Sequence, residues 1–218
     1  MIKATVGKNL DVWIRRLFPF LFWRKLDPNA LTVMGALVSS GAAAALAAGR
    51  PVAGGLLMLA GGFFDLVDGV VARHRGIATR FGAFLDSTLD RWADVVLLVG
   101  ISVYYAHAGA PQHVALAGLA LATTVLVSYT KARAELVLGH FEIGLMERAE
   151  RVVILAAGAL FGLLVPALAV IALGSGITAG QRIALAYREM SRLDAAEASK
   201  FRAASPRRAK TSEMESPR

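Results

Sequence analysis

Blocks of apolar residues, each about twenty long and separated by short polar breaks, repeat along this chain. About twenty residues at 1.5 Å rise per residue cross the roughly 30 Å hydrocarbon core of a bilayer as a helix. The breaks predict six membrane-spanning helices: Ala30 to Ala48, Val52 to Arg73, Gly82 to Ala106, Gln112 to Glu135, Arg148 to Leu164, and one beyond Pro166 that ends near Tyr187. Ahead of them, Leu10, Trp13, Ile14, Leu17, Phe18 and Leu21 keep helical spacing, with Lys8, Asp11 and Arg15 on the other face. That pattern predicts an amphipathic helix within residues 1–26, lying in the membrane interface and kinked or ended by Pro19. The expected fold is an all-α integral membrane protein, one domain over residues 1–194. Residues 195–218, rich in Ser, Arg, Lys and Glu, predict a disordered cytoplasmic tail.

Composition supports the same class. A mean hydropathy of +0.55 and a charged fraction of 18% are too apolar for an ordinary soluble domain. The absence of cysteine excludes disulfides, thiolate metal sites and a cysteine nucleophile. Charges interleave with the apolar residues of the N-terminus, so no cleavable signal is expected. The net charge of +8 fits basic cytoplasmic loops and anionic lipid rather than nucleic acid. Basic residues cluster at the N-terminus, after the second span (Arg73, Arg75, Arg80), after the fourth (Lys131, Arg133, Arg148, Arg151) and at the C-terminus. The intervening loops carry Arg50 and neutral residues. This alternation predicts both termini on the cytoplasmic side of the inner cell membrane.

Against this background, four carboxylates stand out. Asp65 and Asp68 close the second span, and Asp86 and Asp90 open the third. Spacings of i,i+3 and i,i+4 put each pair on one helix face. Burying four Asp in a bilayer costs on the order of 10 kcal/mol unless water, basic partners or cations offset it. Solvated loop charges fit poorly, because apolar sequence continues on both outer sides. Oxygen ligands alone, with no Cys and no well-placed His, suit hard cations such as Mg²⁺ or Mn²⁺. Shared carboxylates can hold two ions that clamp a transferring phosphoryl group. Gly69 leaves room for a ligand against the helix backbone, and Gly82 serves either that end or helix packing. Arg73 and Arg80 read equally as diphosphate partners and as cytoplasmic-end charges.

The stretch from Asp65 to Asp90 reads D-x2-D-G-x2-A-R-x8-G-x3-D-x3-D. It is similar, with every spacing intact, to the signature of the CDP-alcohol phosphotransferase family. Asp27-Pro28-Asn29-Ala30-Leu31-Thr32 also resembles the PN-x-L-T element that opens the first span there. The resemblance implies transfer from a CDP-linked lipid to an alcohol, with release of CMP. It implies that Asp65, Asp68, Asp86 and Asp90 hold metal, two Mg²⁺ ions with Mn²⁺ as the alternative. Asp90 would also be the general base that deprotonates the acceptor hydroxyl. Gly69, Ala72 and Arg73 would line the cytidine and diphosphate site. Asn29 and Thr32, with Asp68, Thr79 and Gly82, would complete the contacts to the CDP-lipid.

The acceptor is sought among the later basic residues. Lys131, Arg148, Arg151 and Arg182 fall at the cytoplasmic ends of their helices, close to the carboxylates. Arg matches phosphate bidentately, although topology alone also explains such charges. The strings SYTKARAE and ERAER resemble SY-x-KARAE and ER-x-ER of prokaryotic phosphatidylinositol phosphate synthases, with Ala149 where that family has proline. The resemblance implies CDP-diacylglycerol as donor and inositol 1-phosphate as acceptor. Ser128, Lys131, Arg133, Arg148, Arg151 and Arg182 then become the expected acceptor contacts. Glycerol 3-phosphate is the alternative acceptor, and a divalent-cation transporter is the alternative from a different class. Transport predicts carboxylates at mid-membrane within inverted repeats, and neither is evident.

Asp94 extends the Asp86–Asp90 stripe by one turn and reads as a structural carboxylate, paired with Arg91 or with a polar group on a neighbouring helix. Small residues such as Gly35, Gly54 and Gly61 suit close helix packing, either within the bundle or in a homodimer.

Overall fold

The computed structural model describes residues 27–139, 141 and 143–204. The expected amphipathic helix before Asp27 lies outside the described residues. Six helices account for almost all of the described chain: α1 (Pro28–Ala47), α2 (Pro51–Arg75), α3 (Arg80–His107), α4 (Pro111–Leu138), α5 (Arg148–Leu160) and α6 (Leu164–Ala204). Among the described residues there is no strand. Proline opens α1, α2 and α4, where its missing N–H costs nothing and its fixed φ suits the first turn. A glycine at positive φ follows each of the first five helices, as Gly76 does at φ 63° after α2. The polar breaks of the sequence are therefore stop and start signals in the chain itself.

Four of these helices, α1, α2, α4 and α6, are long and apolar enough to cross a membrane. The count differs from the expected six for two physical reasons. Asp86, Asp90, Arg91 and Asp94 interrupt the apolar run of α3. Helix α5 has only 13 residues. Large apolar side chains such as Leu37, Leu56, Leu119 and Leu173 face outward, as a lipid-facing surface requires. Helix α6 runs beyond the expected boundary at residue 194, through Ala195, Ala196 and Ala198 to Ala204. Alanine is the strongest helix former, and these residues carry the helix past the last apolar block.

The helices close into a ring. α1 packs on α2 and α3, α3 on α4, α4 on α6, and α5 joins α6 back to α2. The core lies toward the end of α3 and the start of α6, built from Leu97, Leu98, Ile101, Leu168 and Ile171 against Leu46, Met58 and Ala156. Small residues set the tight contacts within the chain: a Cβ on Gly100 would sit 2.5 Å from the carbonyl oxygen of Ala43. Helices α2 and α3, consecutive in sequence and carriers of the carboxylates, meet mainly through α1. The space between their polar ends is where the site forms.

Candidate active site

Helix α1 receives the two carboxylates of α2. The hydroxyl of Thr32 lies 2.5 Å from Oδ2 of Asp68, and both residues are buried. Near the next turn, Gly35 makes room for Asp65, because a Cβ there would stand 2.9 Å from its Oδ1. From the opposite side of the ring comes Arg148 at the start of α5. Its guanidinium donates to Asp65 and lies 2.8 Å from Asp90. One cation thus ties α2, α3 and α5 together.

The donor set is oxygen only and fits a hard divalent cation. Among the described residues, no three acidic or histidine side chains converge on one point. Thr32 and Arg148 instead engage the oxygens of Asp68, Asp65 and Asp90. A divalent ion at these carboxylates would compete with Arg148.

Between the polar ends of α1, α2 and α3 lies a cavity of about 390 Å³. All eight residues expected to contact the CDP-lipid line it: Asn29, Thr32, Asp68, Gly69, Ala72, Arg73, Thr79 and Gly82. Asp86 lines it too. Local structure explains the gathering. Asp27 caps α1 by accepting from the backbone N–H of Asn29 at 3.0 Å, and Thr79 caps α3 by accepting from that of Gly82 at 2.9 Å. Both helix N-termini, with their partial positive charge, therefore open on the cavity. A Cβ on Gly82 would stand 3.1 Å from Asn29 Oδ1 and from Thr79 Oγ1, so its absence keeps the two ends close.

A second cavity, of about 180 Å³, lies among α3, α4, α5 and α6. Asp90 lines it, together with five of the six expected acceptor residues: Ser128, Lys131, Arg148, Arg151 and Arg182. Arg133 does not join them; two positions past Lys131 it falls on another face of α4 and is exposed. Glu147 and Glu150 form a reciprocal capping box at the start of α5, with Glu150 accepting from the N–H of Glu147 at 3.0 Å. The acidic residues of ERAER thus build the helix start, and its arginines, one turn apart, face the site.

The sequence pattern that defines the CDP-alcohol phosphatidyltransferase family matches residues 25–181. The chain belongs to this family. It is 40% identical over 215 residues to the phosphatidylinositol phosphate synthase of Streptomyces avermitilis, covering 90% of this chain and 88% of that protein. It is 42% identical over 140 residues to the archaetidylinositol phosphate synthase of Methanothermobacter thermautotrophicus, covering 64% of this chain and 69% of that protein. Among solved structures, phosphatidylinositol phosphate synthase of Mycobacterium tuberculosis with CDP-DAG bound superposes with a TM-score of 0.69 at 30% identity, over 84% of this chain and 94% of that one. The same enzyme in complex with manganese and citrate matches with a TM-score of 0.69 at 30% identity, over 83% and 88%. The chain is thus a membrane-bound transferase of phospholipid biosynthesis.

The expected partner of Asp94 is found on a neighbouring helix, and further contacts of this phosphatidyltransferase site escape the sequence. Asp94 pairs with Arg151 of α5 at 2.6 Å, while Arg91 turns back to the carbonyl of Ser87 in its own helix. Arg182 is largely a clamp: Nε donates to the carbonyl of Ile143 at 2.8 Å and Nη1 to that of Val127 at 2.5 Å. Thr178, one turn earlier, accepts from the N–H groups of Leu145 and Met146. Together they fix the loop that leads into α5. The stripe position of Asp94 was a signal of sorts; nothing in sequence marks Thr178.

Proposed function

We propose that this phosphatidyltransferase moves the phosphatidyl group of CDP-diacylglycerol to inositol 1-phosphate, giving phosphatidylinositol phosphate and CMP. The observation that carries the reading is the placement of two cavities on one stripe of α3. Asp86 lines the larger, and Asp90, one turn on, lines the smaller. The names of the relatives above support the same acceptor class.

In this reading the CDP-lipid occupies the larger cavity, with its diphosphate against Arg73 and the N-termini of α1 and α3. The acceptor phosphate lies in the smaller cavity, where Arg91, Lys131, Arg148, Arg151 and Arg182 outnumber Asp90, Asp94 and Glu147. Asp90 takes the proton of the acceptor hydroxyl as that oxygen attacks the β-phosphorus. The bond from the β-phosphorus to the CMP oxygen breaks, and CMP leaves. Asp65, Asp68, Asp86 and Asp90 are the residues that would hold divalent cations, two Mg²⁺ ions with Mn²⁺ as the alternative. Bound there, the cations supply charge neutralisation to the diphosphate and the departing CMP. Arg148 sets the charge balance of the carboxylates from α5.

We also infer six membrane crossings in the inner membrane, with the site and both termini on the cytoplasmic side. Helix α3 serves as a crossing because Asp90 and Asp94 meet Arg148 and Arg151 across the ring rather than lipid.

The test is CMP release by the purified protein with CDP-diacylglycerol and Mg²⁺, offered inositol 1-phosphate, glycerol 3-phosphate or free inositol. Turnover with inositol 1-phosphate alone is expected. Preference for either other alcohol would replace the acceptor, and no CMP from any of them would overturn the reading.

A further inference from the structure

Asp94 stands outside the carboxylate signature, four residues beyond its last Asp. It is nevertheless only 8% exposed, and its partner Arg151 only 5%. Oδ2 of Asp94 accepts from Nη2 of Arg151 at 2.6 Å, joining α3 to α5. Both residues line the smaller cavity, and Asp94 lies one turn along α3 from Asp90.

The cations around that cavity are not equivalent. Arg148 is drawn to Asp65 and Asp90. Arg182 has Nε and Nη1 committed to backbone carbonyls. Lys131 is half-buried and lies 3.6 Å from Glu135. Arg151 differs in its carboxylate partner: Asp94 lies outside the signature, whereas Arg148 meets two signature carboxylates. Its Nη1 reaches the Met146 carbonyl at 3.4 Å, and its buried Nε, like that of Arg148, has no hydrogen-bond partner among the described residues. Its shortest contact is with Asp94, made at Nη2. Asp94 on one terminal nitrogen and the Met146 carbonyl on the other orient the guanidinium plane, and each terminal nitrogen keeps a further N–H for a phosphate oxygen.

We propose that Asp94 is a positioning residue that sets the guanidinium of Arg151 for the phosphate of the acceptor. The inference rests on the reading that this cavity takes a phosphorylated alcohol. A purely structural role, neutralising a buried arginine, would affect stability without separating the two substrates.

The experiment measures CMP release by the full-length protein while each substrate is varied at saturation of the other. Wild type is compared with Asp94→Asn, Arg151→Lys and the double variant. Asp94→Asn is expected to raise the acceptor KM about tenfold or more, with the CDP-diacylglycerol KM changed by less than about twofold. Its effect should largely vanish in the Arg151→Lys background. Equal changes in both KM values, no change, or additive effects would overturn the proposal. If Asp94→Asn fails to fold, Asp94→Leu with Arg151→Met removes both buried charges together. That pair should match Arg151→Met alone in acceptor KM, and a further rise overturns the role.

If glycerol 3-phosphate replaces inositol 1-phosphate as acceptor, the acceptor reading fails, but the same comparison with glycerol 3-phosphate still decides Asp94. If free inositol is the acceptor, both readings fall. Calorimetric binding of inorganic phosphate, which needs no turnover, decides the case without activity: weaker binding by Asp94→Asn supports the role, and equal binding refutes it.

Discussion

The guanidinium of Arg148 lies 2.8 Å from a carboxylate oxygen of Asp90, and it also donates to Asp65. Although Arg148 lines the smaller cavity, its charge is directed at the carboxylates. One cation from α5 therefore offsets repulsion between acidic groups of α2 and α3, two helices that meet mainly through α1. Arg148→Gln should lower the thermal stability of the metal-free protein, because Asp65 and Asp90 then repel without compensation. The same change removes a competitor of the divalent ion. Mn²⁺ should bind several-fold more tightly, and should raise the Tm of the variant by more than that of wild type. Calorimetry and thermal unfolding with and without EDTA check both effects. Weaker Mn²⁺ binding by the variant would show that Arg148 assists the metal site instead.

Asp90 lines the smaller cavity and not the larger one proposed to hold the nucleotide. Asp90→Asn keeps the shape of the side chain and removes the base. Turnover is expected to fall by about 10²-fold or more, in the range of lost general-base catalysis. Binding of CDP-diacylglycerol, followed by thermal shift, should change little. A variant that retains turnover would remove Asp90 from the proposed proton transfer.

Thr32 and Asp68 meet at 2.5 Å inside the larger cavity. Thr32→Val preserves volume while withdrawing one hydrogen bond from a buried carboxylate, a contact worth about 1.5–3 kcal/mol. Asp68 also lines the larger cavity, proposed for the CDP-lipid, so the expected result is a raised KM for CDP-diacylglycerol with the acceptor KM unchanged. Steady-state kinetics in each substrate separate the two. A change confined to the acceptor would contradict the assignment of the cavities.

The sequence was most informative where chemistry follows local spacing. Asp65, Asp68, Asp86 and Asp90 could be placed on helix faces from i,i+3 and i,i+4 steps alone, and the break at Asp27-Pro28-Asn29 marks the start of α1. It was least informative where two groups far apart in the chain choose each other. The ring order of the helices, the choice of Arg151 by Asp94, and the grip of Arg182 on Val127 and Ile143 depend on packing between elements, to which no local period points. Arg133 shows the complementary error. The string it shares with Lys131 suggested a common role, but two steps along a helix turn a side chain by more than half a circle. Helix α6 continues past residue 194 because the helix propensity of its alanines outweighs the charge density around them.

Two glycines test whether the site and the scaffold separate. A Cβ on Gly69 would meet the guanidinium of Arg73 at 3.1 Å, the far end of a flexible side chain that can shift. A Cβ on Gly100 would stand 2.5 Å from the backbone oxygen of Ala43, where α3 crosses α1, and backbone cannot yield so easily. Gly69→Ala should therefore leave the Tm near that of wild type while displacing Arg73 and raising the KM for CDP-diacylglycerol. Gly100→Ala should do the reverse, costing about 1–3 kcal/mol of stability, the range for overpacking a filled contact, with KM values of the folded fraction unchanged. Thermal unfolding and CMP-release kinetics on the two variants provide the comparison. If Gly100→Ala altered the KM for the CDP-lipid as strongly as Gly69→Ala, the α1–α3 crossing would be part of the binding site, and the division between a packed end and a reactive end of the ring would have to be abandoned.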